Sequence, residues 1–459
     1  MSFLRFSQTV VVLLACLGVL YPACAEERTY LIAPSVLPHT ERAMKTPGFW
    51  ISRHPSPDQV ILEPEKIAEL NARIQNDLKL TKDMTQFPDT ISGDELLKSL
   101  RLKFEELKAK GYFAASGEEA SLLFFQDVES NLNLTSVPGV IEPQFGFVLH
   151  YANQRFLPMD DGLYAVSGDL DFDELQNNAL EVGTSVAILH KSFDGHWFYI
   201  QGPASDGWVE AKNIILCALN DIQDYLGSES LAVVVKPKAD IFLDEPLTQY
   251  YDYAQMGTRF PKEKKQGVSN AVAVKIPFRR EDGRFIFKTV YLGKEDINDG
   301  DLPYTARTIY KQAFQLLNQP YGWGGMYGEQ DCSRFLQEIF ATVGIHLPRD
   351  SKDQAKVGIG IAQFDDKSKD DEKIKFFSKA AGGKSVLTMK GHILLYLGMV
   401  DNRPYAIHAV WAYREPNPNG EEDRVRVMNR VVVSDLYLGE GSKKGSLLKR
   451  LSGIRMISK

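Results

Sequence analysis

The 459-residue chain has four cysteines, at positions 16, 24, 217 and 332, too few for a disulfide framework to be the source of its stability. It also lacks a basic excess. Its 53 Lys and Arg against 60 Asp and Glu give a formal net charge of −7. Phosphate neutralisation is therefore not supplied, and no nucleic acid is expected as a partner. Beyond the N-terminal segment there is no apolar run of the ~18 residues a membrane helix needs, so no stable membrane span is expected. The eight histidines show none of the short paired spacings of a zinc site. Neither a metal nor another cofactor is expected. What remains, 44% hydrophobic and 25% charged residues, is ordinary globular composition. The length exceeds one hydrophobic core and suggests roughly three units at about 150 residues each.

Residues 1–25 read as an export signal: Arg5, an apolar run from Val10 to Leu20, and the small-residue site Ala23-Cys24-Ala25. The protein is then expected to be exported, to the periplasm or the extracellular space. A rival reading takes Leu13-Leu14-Ala15-Cys16 as a lipoprotein box and anchors the chain by lipid. Cleavage leaves only Cys217 and Cys332. An unpaired thiol is a liability in an oxidising compartment, so either the two form one bridge or one is kept for its chemistry.

From 26 to 144 the sequence mixes irregular and helical segments. Ile67, Leu70, Ile74 and Leu78 recur at helical spacing after Pro64, as do Leu97, Leu100, Phe104 and Leu107 before Gly111. The stretch around Phe49-Trp50 reads as an extended arm or turn rather than a core element. Residues 145–220 change to short Val, Ile, Tyr and Phe runs divided by turns, the pattern of a small β-barrel. A second β-rich segment, 230–294, follows, and the Asp- and Gly-rich stretch 295–303 reads as a linker into residues 304–459.

In that last segment Tyr321-Gly322-Trp323-Gly324-Gly325 leads into Asp331-Cys332-Ser333. Phe335, Leu336, Ile339, Phe340 and Val343 then follow at helical spacing. Cys332 is thus expected at the N-terminus of a buried helix, where free N–H groups and the macrodipole favour the nucleophilic thiolate. A cysteine nucleophile needs a group that holds and returns a proton, and histidine titrates in the right range. His392 opens an apolar strand, His408 lies in the next, and Asp401-Asn402-Arg403-Pro404 between them predicts a hairpin that brings the two together. His408 would then orient His392. Alone, His392 would read as structural, and His346, beside Pro348 with no strand to align it, does read so. Order and spacing distinguish the set.

That order resembles the NlpC/P60 family of papain-like cell-wall peptidases. Tyr321 to Gly325 with Asp331-Cys332-Ser333 resembles its nucleophile motif, Gly391 to Gly398 its second motif and Ile407-His408-Ala409 its third. In 145–220, Ser185–His190, Asp194-Gly195, His196–Gln201 and Gly207-Trp208-Val209 resemble a bacterial SH3 domain. The second β-rich segment lacks the Gly-Trp-Val signature and resembles a divergent copy. Trp50 to Arg53 and Phe172 to Gln176 fit the branch that has a clip and two SH3 domains. The fold implied is a multidomain α+β chain: a helical N-terminal segment, two small SH3-like barrels and a papain-like catalytic domain. By the same resemblance Cys332 is the nucleophile, His392 the general base and acid, and His408 its orienting partner. Tyr321 lies near the oxyanion site, and Asp331, Ser333 and Ser351 hold the substrate's amino end. The implied reaction is hydrolysis of the γ-D-glutamyl–diamino acid bond of peptidoglycan stem peptides. The first barrel would close one end of the groove and favour a free N-terminal L-alanine. Arg334 departs from the glycine many members carry after Asp-Cys-Ser, which puts the groove beside the nucleophile in question. Two other readings stay open: a wall-binding protein with an inactive last domain, and a papain-like amidase or acyltransferase with another substrate.

Overall fold

The computed structural model describes residues 30–263, 270–419 and 422–458. The expected export signal, with Cys16 and Cys24, lies outside them. No helix among the described residues is long and apolar enough to cross a membrane.

The C-terminal domain is built on a seven-stranded sheet in the order Tyr30–Ile32, Arg424–Asp435, Arg403–Glu415, His392–Val400, Ser385–Met389, Leu451–Met456, Ile359–Gln363. Strand His392–Val400 is apolar on both faces because both are covered. Ile393, Leu395 and Leu397 enter one core with Ile309, Phe335 and Leu336 from the helices Ala306–Gln315 and Cys332–Ala341. Leu394 and Tyr396 enter a second core with Phe377, Leu448 and Ile454. Positive φ at Asp401 and Asn402, 49° and 60°, gives the tight turn that returns the chain as the next strand.

The N-terminal segment divides between two neighbours. Tyr30–Ile32 adds a parallel strand to the edge of the C-terminal sheet, and Met44, Trp50, Ile67, Leu70 and Ile74 belong to that domain's core. Phe49-Trp50 is therefore not an arm. It lies in the helix Pro47–Ile51, with Trp50 2% exposed and its indole N–H donating to the Met44 carbonyl at 2.8 Å. An indole buried against Tyr405 removes far more apolar surface from water than an arm could. Farther on, the helix Gly93–Lys108 packs on the first barrel. Its apolar face begins at Leu96 rather than Leu97, with Leu100, Phe104 and Leu107.

The first barrel is a seven-stranded sheet ordered Ile214–Cys217, Gln144–Val148, Ser185–Lys191, Trp197–Gln201, Asp206–Glu210, Ala152–Arg155, Gln176–Leu180. A second strand-built unit has sheets of three and four strands around Val234, Ile241, Phe260, Val274 and Val290. The stretch 295–303 is not a free linker. Ile297–Asp299 pairs antiparallel with Leu231–Val234, and Leu302 N–H donates to the Thr342 carbonyl at 2.9 Å, so its backbone groups are satisfied inside the fold. Cys217 and Cys332 are both free, so the alternative bridge is not formed.

Candidate active site

Cys332 is the first residue of the helix Cys332–Ala341, and Asp331 is its N-cap. The Asp331 carboxylate accepts from the backbone N–H groups of Ser333 at 3.1 Å and Arg334 at 2.9 Å, satisfying two of the donors a helix start leaves open. Asp331 is also paired with Arg349, Nη2 to Oδ2 at 2.5 Å, and Arg349 donates to Ser333 Oγ at 2.8 Å and to Asn178 Oδ1 of the first barrel at 2.7 Å. Burial raises the Asp331 carboxyl, but the charge and hydrogen bonds of Arg349 outweigh it and the net shift is downward. Asp331 and Ser333 are thus joined in one buried cluster. Ser351 is not among the partners of Asp331. It opens a short helix and lines, with Met389 and Gly391, a cavity of about 600 Å³ beside the residue preceding His392.

The two strand histidines meet. With Leu395 opposite Ile407, the two-residue alternation puts 392 and 408 on one face of the hairpin, and His392 Nε2 lies 2.8 Å from His408 Nδ1. The other nitrogen of His408, Nε2, lies 3.1 Å from Ser434 Oγ on the next strand. The polar chain His392–His408–Ser434 thus has fixed ends. If Ser434 accepts from His408 Nε2–H, then His408 Nδ1 accepts from His392 Nε2–H, and His392 Nδ1 is left with a free lone pair, the atom a base needs.

The sulfur of Cys332 sits beside the backbone N–H of Ile393, the residue after His392, and beside that of Ser333. These contacts favour the thiolate, and burial opposes them. Burial, and then the Asp331 charge, push its pKa up to about 12. Burial likewise lowers His392 to about 3 and His408 well below the usual histidine value. Desolvation of the buried charge thus acts against the thiolate that the helix N-terminus favours. Tyr321 is close enough to Cys332 and Asp331 for both charges to add to burial in raising its pKa, so its hydroxyl stays protonated and able to donate.

The glycine motif docks the first barrel. Gly324 and Gly325 have φ of 62° and 84°, and a Cβ on Gly324 would fall 2.6 Å from the Gln176 side chain, so a side chain there would be strained and blocked. Across this contact Trp323 Nε1–H donates to the Asp173 carbonyl at 3.0 Å, Gln176 Nε2 donates to the Gly324 carbonyl at 3.3 Å, and the rings of Phe172 and Trp323 meet edge to face at 5.3 Å. Arg334 turns away from the groove into a buried cluster. It pairs with Glu181 of the first barrel and with Glu338, and donates to Gln255 Oε1 of the second strand unit at 2.9 Å and to the Ala179 carbonyl at 2.8 Å. Sequence reasoning missed Arg349, Asn178 and Ser434. Only Arg349, two residues before Ser351, stood within reach of it.

Residues 318–409 match the NlpC/P60 family, and residues 164–210 match the SH3 domain of SH3b1 type. The chain is 35% identical over 126 residues to the γ-D-glutamyl-L-lysine dipeptidyl-peptidase of Bacillus subtilis (strain 168), covering 26% of this chain and 40% of that protein. It is 24% identical over 256 residues to the enzyme of the same name from Bacillus cereus, covering 53% of this chain and 70% of that one. The fold is similar to that of an NlpC/P60 endopeptidase from Photobacterium damselae subsp. piscicida, with a TM-score of 0.76 and 20% identity over 94% of this chain and 99% of the other. Residues 318–409 of this chain thus form an NlpC/P60 domain, and an SH3 domain of SH3b1 type lies ahead of it at residues 164–210.

Proposed function

We propose that this protein is a cysteine peptidase that hydrolyses the γ-D-glutamyl–diamino acid bond of peptidoglycan stem peptides outside the cytoplasm. In this reading Cys332 is the nucleophile, His392 the base and acid, and His408 its orienting partner. The single observation that carries it is the chain from His392 through His408 to Ser434, with the sulfur at the helix start against the backbone N–H of Ile393, the residue after His392. As the sulfur attacks the amide carbonyl, its proton passes to His392 Nδ1 and the S–C bond forms. The imidazolium is stabilised through Nε2–H to His408, and the oxyanion by the Tyr321 hydroxyl. His392 then protonates the leaving amine and the C–N bond breaks. Water, deprotonated by the same nitrogen, cleaves the thioester and restores the thiol. Bringing the proton to a buried neutral imidazole at the moment of attack avoids a resting ion pair that burial disfavours.

The substrate class rests on the family and on relatives whose names state γ-D-glutamyl-L-lysine dipeptidyl-peptidase activity. A wall-binding role alone would leave His392, His408 and Ser434 aligned for no purpose. The test is a digest of purified muropeptides read by mass spectrometry. The parent chain should release fragments cut after γ-D-glutamate and Cys332→Ala should release none. Cleavage at another bond would transfer the site to a different amide or ester.

A further inference from the structure

Strand His392–Val400 carries the candidate base at its start, and its far end walls a separate cavity of about 490 Å³. None of Cys332, His392 and His408 lines that cavity. Leu397, which does, lies five residues along the strand from His392, or roughly 17 Å at the usual rise. The walls are aromatic: Trp50, Tyr310 and Phe377. The polar rim is of one sign. Arg53, His54 and Lys384 line the cavity, and no aspartate or glutamate does.

These cations lack anionic partners. The Lys384 ammonium is half-buried and in no ion pair among the described residues. It lies near His54, whose pKa is lowered by burial and then by that lysine. The Arg53 guanidinium lies 3.6 Å from the centre of the Phe49 ring and donates to the Phe49 carbonyl at 3.2 Å, which fixes its direction without neutralising it. His54 Nδ1 accepts from the Ser56 backbone N–H at 3.2 Å. The ring proton of the neutral histidine is therefore on Nε2, a third donor. Partly desolvated positive charge is costly unless an anion accompanies it, while an aromatic recess of this size suits an apolar body.

We propose that this cavity binds a small amphiphilic anion. One carboxylate, sulfonate or phosphate is held by Lys384, Arg53 and His54 Nε2–H, and the apolar part packs against Trp50, Tyr310 and Phe377. The site is distinct from the peptidase centre and does not depend on it.

The probe is 8-anilinonaphthalene-1-sulfonate, titrated by fluorescence against the full chain, beside N-phenyl-1-naphthylamine, which has the same rings and no charge. The sulfonate should bind at least about tenfold more tightly than the neutral analogue, and Lys384→Met should remove that preference, since a charge-assisted contact is worth about that factor or more. Lys384→Arg should stay within about threefold of the parent, and Cys332→Ala should bind as the parent does. Octanoate and phenyl phosphate, each added in competition, identify the preferred head group. Displacement by at least one is expected. Should Lys384→Met not fold, as judged by circular dichroism, Arg53→Gln on the exposed rim carries the same test. Three results would overturn the site: undiminished sulfonate binding in a folded Lys384→Met, equal affinity for the neutral analogue, or displacement by neither competitor.

Discussion

Arg334, two residues after the candidate nucleophile, is ion-paired inside the protein with Glu181 of the first barrel. Their side chains are 7% and 17% exposed. The pair, with Glu338 and Gln255, ties the helix that begins at Cys332 to two other units of the chain.

The first prediction follows from that pair. Removing one partner of a buried ion pair leaves the other charge unpaired, at a cost of about 3–5 kcal/mol. Arg334→Met should cost that much, read from urea unfolding. Since Glu338 is already pushed up to about 8 by burial, the variant's loss should be larger at pH 8.5 than at pH 6, where that carboxyl can take a proton. Arg334→Met with Glu181→Gln should recover part of the loss. A single variant within about 1 kcal/mol of the parent would show the contact to be a surface-like pair of little worth.

Next, the order of the polar chain ranks three variants. His392→Ala removes the base and should lower kcat by several orders of magnitude, as loss of a triad member does. His408→Gln should cost less, because His408 only orients the ring, and Ser434→Ala least of all. Since the members act as a unit, His392→Ala with His408→Gln should be little worse than His392→Ala alone. Additive losses would place His408 in some other role.

Stability should also depend on pH in a stated direction. His392 and His408 have folded pKa values below the unfolded value of about 6.5. Between about pH 6.5 and pH 3 the unfolded chain therefore binds more protons, and stability falls as the pH falls through that window. The downward shift of Asp331 acts the same way at lower pH, its contribution being lost as that carboxyl protonates. Moving from pH 7 to pH 4.5 should cost on the order of 2 kcal/mol through His392, with His408 acting in the same direction. The loss should shrink in His392→Gln and His408→Gln, as measured by urea midpoints at the two pH values. An identical loss in parent and variants would assign it to other groups.

What the sequence made legible was local. The helix after Cys332 follows from the spacing of Phe335, Leu336, Ile339 and Phe340, and the meeting of His392 with His408 from the turn at Asp401-Asn402. Partnerships across long separations were not legible. The Asp331 carboxylate looked available for a substrate amine, but Arg349 claims it from 18 positions away, and Asn178 joins through Arg349, 171 positions from that arginine. Trp50 looked exposed until a sheet formed some 350 residues later covered it. Arg334 read as an intrusion into the groove because nothing near it in sequence announces Glu181. The forces on the Cys332 thiol divide in the same way: the helix N-terminus that favours a thiolate is local, while the burial that opposes it is the work of the whole core.

The docked loop of the first barrel gives the last prediction. Phe172, Asp173 and Gln176 lie on Trp323 and Gly324, and Phe172 also meets Trp411, three residues after His408. A groove walled on that side should accept a peptide that ends there and reject one that continues into glycan. The small free ammonium of an N-terminal L-alanine would fit a closed end, whereas acetylation removes the charge and adds bulk. The protein should therefore cleave L-Ala-γ-D-Glu-diamino acid peptides well and their N-acetylated or glycan-linked forms poorly. The difference should lie mostly in kcat/KM and amount to roughly ten- to a hundredfold, the worth of a charge-assisted contact of about 1.5–3 kcal/mol. Phe172→Ala, which opens the wall without touching Cys332, should narrow that ratio by improving the blocked peptides relative to the free one. Equal rates on free and blocked peptides in the parent chain would mean an open groove, and the barrels would then be left with a wall-binding role.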